Sequence, residues 1–161
     1  MENNMDTDPL FNIVLFHPEI PQNTGNIGRI AVCSRCSLHL IKPLGFLLDD
    51  KHIKRSGMDY WQHVQYSLHE SFEEFLKTTD GAPVYFFSTK GEKTYWDCPM
   101  EKGAYLVFGC ESAGLPPEIH AAYPEHFYTI PMPGKFHRSL NLANSVGIVA
   151  YEGLRRCREE L

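Results

Sequence analysis

The sequence predicts an α/β domain with a mostly parallel sheet covered by helices on both faces. Three observations carry that reading. Short apolar, β-branched or aromatic runs alternate with stretches whose apolar residues recur at helical spacing, the order expected when strands are joined by crossover helices. Glycine and proline gather at the connections, at Pro43, Gly45, Gly57, Gly81, Pro83, Gly91, Pro99 and Gly103. With 161 residues, 43% of them hydrophobic, the chain can bury a core without disulfide or metal staples.

The first strand is expected over 11–16, where Phe11-Asn12-Ile13-Val14-Leu15-Phe16 is almost continuously apolar, as a strand buried on both faces should be. A helical pattern follows over 26–37. Further strands are expected over 38–42, 84–88, 105–109 and 127–130, with helices over 70–78 and 117–123. The last helix, over 139–157, has Ser139 at its N-cap position and Leu140, Ala143, Val146, Gly147 and Ala150 at helical spacing. Residues 1–9 are expected to be a flexible tail and 10–161 a single domain.

Composition narrows the function. No run is long and apolar enough to cross a bilayer, and Met1-Glu2-Asn3-Asn4-Met5-Asp6 lacks the basic and apolar regions of a signal peptide, so a cytoplasmic protein without a membrane partner is expected. The net charge of −5 opposes non-specific coating of nucleic acid, and no DNA partner is expected. A local basic face stays possible: Lys51-His52-Ile53-Lys54-Arg55 is either an RNA contact or a solvated surface, and Arg29, Lys135, His137 and Arg138 stand near the motifs below. The five cysteines are an odd number without a disulfide framework. Cys33 and Cys36 form a CxxC inside the expected first helix, where thiols pack as small hydrophobes, and no second CxxC or HExxH would complete a metal site.

Three blocks carry chemistry. The most informative is Ile130-Pro131-Met132-Pro133-Gly134-Lys135-Phe136-His137-Arg138-Ser139-Leu140-Asn141, a stiff loop feeding a helix N-terminus, whose unpaired N–H groups suit an anion or the polar part of a cofactor. The second is Asn23-Thr24-Gly25-Asn26-Ile27-Gly28-Arg29 after the first strand, with a turn expected at 25–28. The third is Phe108-Gly109-Cys110-Glu111-Ser112-Ala113-Gly114-Leu115-Pro116 after the strand containing Tyr105-Leu106-Val107. The spacing Gly25-x-x-Gly28 is not the dinucleotide fingerprint, and there is no P-loop or G-x-S-x-G elbow. The three loops fall at the C-terminal ends of strands, the edge where α/β sheets bind ligands.

Taken in chain order, the three blocks resemble the motifs of the SPOUT (alpha/beta-knot) RNA methyltransferases. They are most similar to the minimal single-domain branch that methylates the ribose of the tRNA wobble nucleotide, a cytidine or uridine. The resemblance implies a C-terminal trefoil knot, S-adenosyl-L-methionine as cofactor, tRNA as substrate and a homodimer that shares its active sites. Residue by residue it implies a cofactor pocket from Phe87, Gly109, Glu111, Ile130, Met132, Ser139 and Leu140. Gly109 would let backbone approach the ligand, and Glu111 would fix its own loop or counter the sulfonium. Arg29, Asn141 and Tyr151 are the implied catalytic and substrate-handling residues. Because a guanidinium stays protonated, Arg29 suits gripping a phosphate and stabilising a developing alkoxide better than accepting a proton. Phe87 and Tyr151 read equally well as packed aromatics. The alternatives are the same chemistry on another RNA, or a non-catalytic RNA-binding module of this fold.

Overall fold

The computed structural model describes residues 8–49, 59–136 and 138–161. The basic cluster 51–55, His137 and residues 1–7 of the expected tail lie outside the described residues.

Seven strands, β1 (Phe11–Phe16), β2 (Cys36–Ile41), β3 (Tyr66–His69), β4 (Val84–Phe87), β5 (Lys93–Thr94), β6 (Tyr105–Phe108) and β7 (Phe127–Thr129), form one sheet in the order β3-β2-β1-β6-β4-β7-β5. Every neighbouring pair is parallel. The helices are α1 (Pro21–Cys33), α2 (Phe72–Lys77), α3 (Pro117–Ala122) and α4 (Leu142–Arg156).

β1 is central and buried along its whole length, and its alternation feeds two cores. Phe11, Ile13 and Leu15 face Ile27, Ala31, Val146 and Val149 of α1 and α4. Val14 and Phe16 face Phe75 of α2 and Ile119 of α3. Both faces of the sheet are thus covered, as the parallel pattern requires.

Five strands fall where the apolar runs predict them, and β3 and β5 were not anticipated. Both are edge strands: β3 is mostly exposed and β5 has only two residues, so neither needs an apolar run. The larger correction concerns α1, which starts at Pro21 rather than near Asn26, so the whole block 23–29, including the expected turn at 25–28, is helical. Its first turn escapes periodicity because its buried residues, Asn23 and Thr24, are polar. Gly28 belongs in this helix for reasons of space, since a Cβ there would lie 2.6 Å from the Trp61 ring. The helix ends at Cys33, with the Ser34 N–H donating to the Ile30 carbonyl and Arg35 at φ 54°. Cys33 and Cys36 therefore straddle a helix–strand junction instead of sharing a helix, one exposed and the other buried. Burial raises the Cys36 thiol pKa, which keeps it protonated.

Candidate active site

β1 and β6 are neighbours, yet the chain leaves β1 for α1 on one face and β6 for α3 on the other. Connections diverging in this way open a crevice at the carboxyl ends of the two strands. A cleft of about 460 Å³ lies there, bounded by the ends of β4, β6 and β7 and by the first turns of α1 and α4.

The crevice is laced by polar side chains. Glu111, in the loop after β6, accepts the Glu19 N–H at 2.9 Å, the Ile20 N–H at 3.1 Å and the Asn23 amide at 3.3 Å. Ile20 is the N-cap residue of α1 and cannot cap with its own side chain; the carboxylate of Glu111, 91 residues away, takes the Ile20 N–H as the acidic half of a capping box does. It bonds backbone, as one of the two expected roles required, but the backbone of the β1–α1 loop rather than of its own turn. The contact is reciprocal: Glu19 accepts from the Ser112 hydroxyl at 2.6 Å and from the Ser112 N–H at 3.1 Å. The Ser112 hydroxyl is the main reason that the Glu19 carboxyl titrates below its ordinary value.

Asn23 links this clasp to the 130–141 block. Its side-chain oxygen accepts from the Asn141 amide at 3.0 Å, while the Asn141 oxygen accepts the N–H groups of Ala143 and Asn144. Asn141, not Ser139, is therefore the N-cap of α4, which begins at Leu142. The expected open helix N-terminus is filled by the chain's own amide.

Gly109 is required by the packing of its own loop. A Cβ there would lie 2.3 Å from the Gly114 carbonyl carbon and 2.5 Å from the Leu115 nitrogen, so the clash is with the loop's own backbone. The loop closes tightly because Cys110 and Gly114 exchange backbone hydrogen bonds and Gly114 adopts φ 66°, where a side chain is costly. Burial, and then the Glu19 carboxylate, raise the Cys110 thiol pKa and keep it from being a nucleophile.

All seven expected cofactor residues line this one cleft. Phe87 is at once core and wall: its ring stacks on Phe108 at 5.1 Å, with 6% of its surface exposed. Ile130 stands beside it, and Met132 and Leu140 expose apolar surface at the rim. Ser139 also lines the cleft, as does Glu111 through the loop it anchors. Of the three catalytic candidates only Asn141 lies in it. Arg29 projects from the exposed side of α1 with its guanidinium 5.5 Å from the centre of the Tyr60 ring, and the Tyr60 hydroxyl donates to the Gly25 carbonyl at 2.6 Å. Tyr151 is exposed on α4, roughly 15 Å along the helix from Asn141 at 1.5 Å per residue. The sequence reading missed the turn Ser88-Thr89-Lys90, which also lines the cleft, and the Glu19–Ser112 pair. A strand end followed by Ser-Thr-Lys-Gly was the available signal for the first; the second is a contact between segments far apart in the chain.

A parallel sheet with one crevice at its switch point, walled by aromatic and aliphatic side chains and polar only where loops are clasped, defines an α/β protein that binds a nucleoside-sized ligand. The chain belongs to the SpoU rRNA Methylase family, whose model matches residues 10–151. It is 44% identical over 149 residues to the tRNA (cytidine(34)-2'-O)-methyltransferase of Saccharophagus degradans, covering 91% of this chain and 96% of that protein. A protein solved for structural insights into the 2-OH methylation of C/U34 on tRNA superposes with a TM-score of 0.85 at 49% identity, covering 92% of this chain and 97% of the other. An AdoMet-bound rRNA methyltransferase from Sinorhizobium meliloti superposes with a TM-score of 0.78 at 25% identity, covering 91% of this chain and 56% of the other.

Proposed function

We propose that this protein transfers a methyl group from S-adenosyl-L-methionine to the ribose 2′-hydroxyl of nucleotide 34, a cytidine or uridine, of tRNA. The observation that carries this reading is the convergence of Phe87, Gly109, Glu111, Ile130, Met132, Ser139 and Leu140 on a single cleft, together with relatives of nearly equal length that are named for that reaction. The cleft fits the cofactor, because its volume lies within the range of small-molecule sites and its walls offer flat apolar surface at Phe87, Ile130 and Leu140 for an adenine. When bound, the cofactor supplies an electrophilic methyl group on a sulfonium.

The chain's own contribution is placement. Glu111 is committed to three donors, and Cys110 is held as a thiol. Among the described residues lining the cleft no histidine or uncommitted carboxylate stands ready as a base. Holding two reacting groups in line is worth roughly 7–11 kcal/mol, so positioning can carry most of the acceleration. The Glu19–Ser112, Glu111–Asn23 and Asn23–Asn141 bonds keep the three loops in register for that purpose.

We assign Arg29 to the RNA, where its planar fork suits the phosphate beside the target ribose and the charge that develops on the 2′-oxygen. Its place outside the cleft supports this role over cofactor binding. Tyr151, together with Ile148 on α4 and Val32 on α1, leaves an apolar surface that suits a second copy of the chain, and a homodimer would bring Tyr151 toward a partner's site. Ala150 is fully buried and Gly147 faces Ile30 within the same chain, so neither is part of that surface. We further propose that residues 10–161 act as one domain in the cytoplasm. We propose, from the family to which the chain belongs, that its C-terminal segment is threaded as a knot.

Incubation of the purified protein with tRNA and labelled cofactor, followed by nucleoside mass spectrometry, should yield a 2′-O-methylated pyrimidine at position 34, and sedimentation should give twice 18.4 kDa. Arg29→Ala should slow single-turnover methylation by on the order of 10²–10³ while cofactor affinity stays at the wild-type value. Methylation of other RNA in preference to tRNA, or wild-type turnover by Arg29→Ala on saturating tRNA, would sink the respective assignment.

A further inference from the structure

We propose that Lys90 is the cofactor's carboxylate anchor, the group that distinguishes a ligand with a complete amino-acid tail from one without the carboxylate. The inference rests on the methyltransferase reading above and deepens it. Lys90 is the one cationic side chain among the described residues lining the cleft, and its ammonium makes no hydrogen bond or ion pair with any described residue.

Its position is set by the backbone. The Ser88 N–H donates to the Tyr128 carbonyl at 2.9 Å, the Lys90 N–H donates to the Ser88 hydroxyl at 3.1 Å, and the Gly91 N–H donates to the Ser88 carbonyl at 3.1 Å. Gly91 seats the turn on β7, since a Cβ there would come within 2.6 Å of the Tyr128 carbonyl carbon. Lys90 therefore leaves a fixed turn at the cleft wall, with only its own side-chain rotamers to order on binding.

The two helix starts at the cleft are poor alternatives for a carboxylate. The N-terminus of α4 donates to Asn141, and Glu111, which takes the Ile20 N–H at the N-cap of α1, would itself repel an anion. With α4's end committed and a carboxylate beside that of α1, a ligand carboxylate in this cleft finds its opposite charge at Lys90. A charge-assisted hydrogen bond from this exposed lysine at the cleft's edge should be worth about tenfold in affinity.

The test is isothermal titration of the full chain with two probes: S-adenosylhomocysteine, and S-(5′-adenosyl)-3-thiopropylamine, which keeps adenosine, sulfur and amine and lacks only the carboxylate. Lys90→Gln should bind S-adenosylhomocysteine about tenfold more weakly than wild type and the decarboxylated probe equally well, and Lys90→Arg should retain most of the affinity. Equal losses on both probes, or no loss on either, would overturn the assignment. So would unchanged S-adenosylhomocysteine affinity accompanied by a raised KM for tRNA and a salt dependence reduced by about one phosphate contact, which would place Lys90 on RNA. Failure of the wild-type protein to bind S-adenosylhomocysteine would overturn the methyltransferase reading itself, an outcome distinct from a failure of Lys90 alone.

Discussion

Removing the Glu111 carboxylate tests whether the cleft is held together from the β6 loop. Glu111→Ala leaves the Glu19 and Ile20 N–H groups and the Asn23 amide without their acceptor. A lost helix cap costs about 0.5–2 kcal/mol, and a hydrogen bond to a charged group contributes about 1.5–3 kcal/mol. The three bonds share one carboxylate, and Ile20 is 42% exposed, so water replaces part of what is lost. The expected destabilisation is therefore about 2–3 kcal/mol rather than the sum of the parts. For a domain of this size that corresponds to a fall in Tm of roughly 4–10 °C. Glu111→Gln keeps one acceptor but turns an amide toward a backbone N–H, and it should lose about half as much. Calorimetric unfolding with and without S-adenosylhomocysteine measures both variants. A Glu111→Ala protein melting within about 1 °C of wild type but binding the ligand far more weakly would refute the argument, because the carboxylate would then act on the ligand and not on the loops.

The remaining predictions concern space and protons. Gly109→Ala should destabilise by about 1–3 kcal/mol or more and weaken S-adenosylhomocysteine binding, because the new Cβ meets backbone that cannot move aside; an unchanged Tm and affinity would mean that the 109–115 loop opens freely. Away from the cleft, the His69 ring donates to His39 at 2.9 Å, His39 to the Ser37 hydroxyl at 3.1 Å, and Ser37 to the Asn12 side-chain oxygen at 2.6 Å. That direction follows because the Asn12 amide is spent on the Gly103 carbonyl. Burial first, and then the neighbouring His69, lower the pKa of His39 from 6.5 to about 4, and burial lowers that of His69. Above the unfolded value both states are neutral; as pH falls through it the unfolded chain gains protons that the native state refuses, so stability is lost between about pH 6.5 and 4. From pH 7 to 5 the loss from His39 alone should be on the order of 2 kcal/mol, and urea titrations should show it largely abolished in His39→Gln. An equally steep loss in that variant would shift the effect to other groups.

The chemistry of the cleft could be read from the sequence to an unusual depth for the two loops after β6 and β7, and much less for the segment after β1. Gly109, Glu111, Ile130 and Ser139 sit in short, irregular, glycine- or proline-bearing stretches behind recognisable strands, so local residue types marked them. Asn23 sits in a helix whose first turn buries polar groups, and apolar periodicity is blind to such a turn. Lys90 was overlooked because an isolated lysine after a strand looks like any solvated surface charge. The edge strands β3 and β5 went unrecognised because short, exposed strands need little apolar character.

By itself the sequence determined the α/β class, the continuously buried first strand and the loops that had to meet, because strand burial and turn chemistry are written in consecutive residues. Only the tertiary structure decided what those residues do on meeting. It gave Glu111 the N-cap N–H of a helix that begins 91 residues earlier, set Asn141 rather than Ser139 at the start of α4, and turned the space freed by Gly109 toward Gly114 and Leu115. It also set Arg29 over the Tyr60 ring, outside the cleft lined by the expected cofactor residues. The physical reason is the same in each case: a hydrogen bond or a van der Waals clash between distant segments depends on their mutual placement to within a few tenths of an ångström, and no local pattern of residue types encodes that distance.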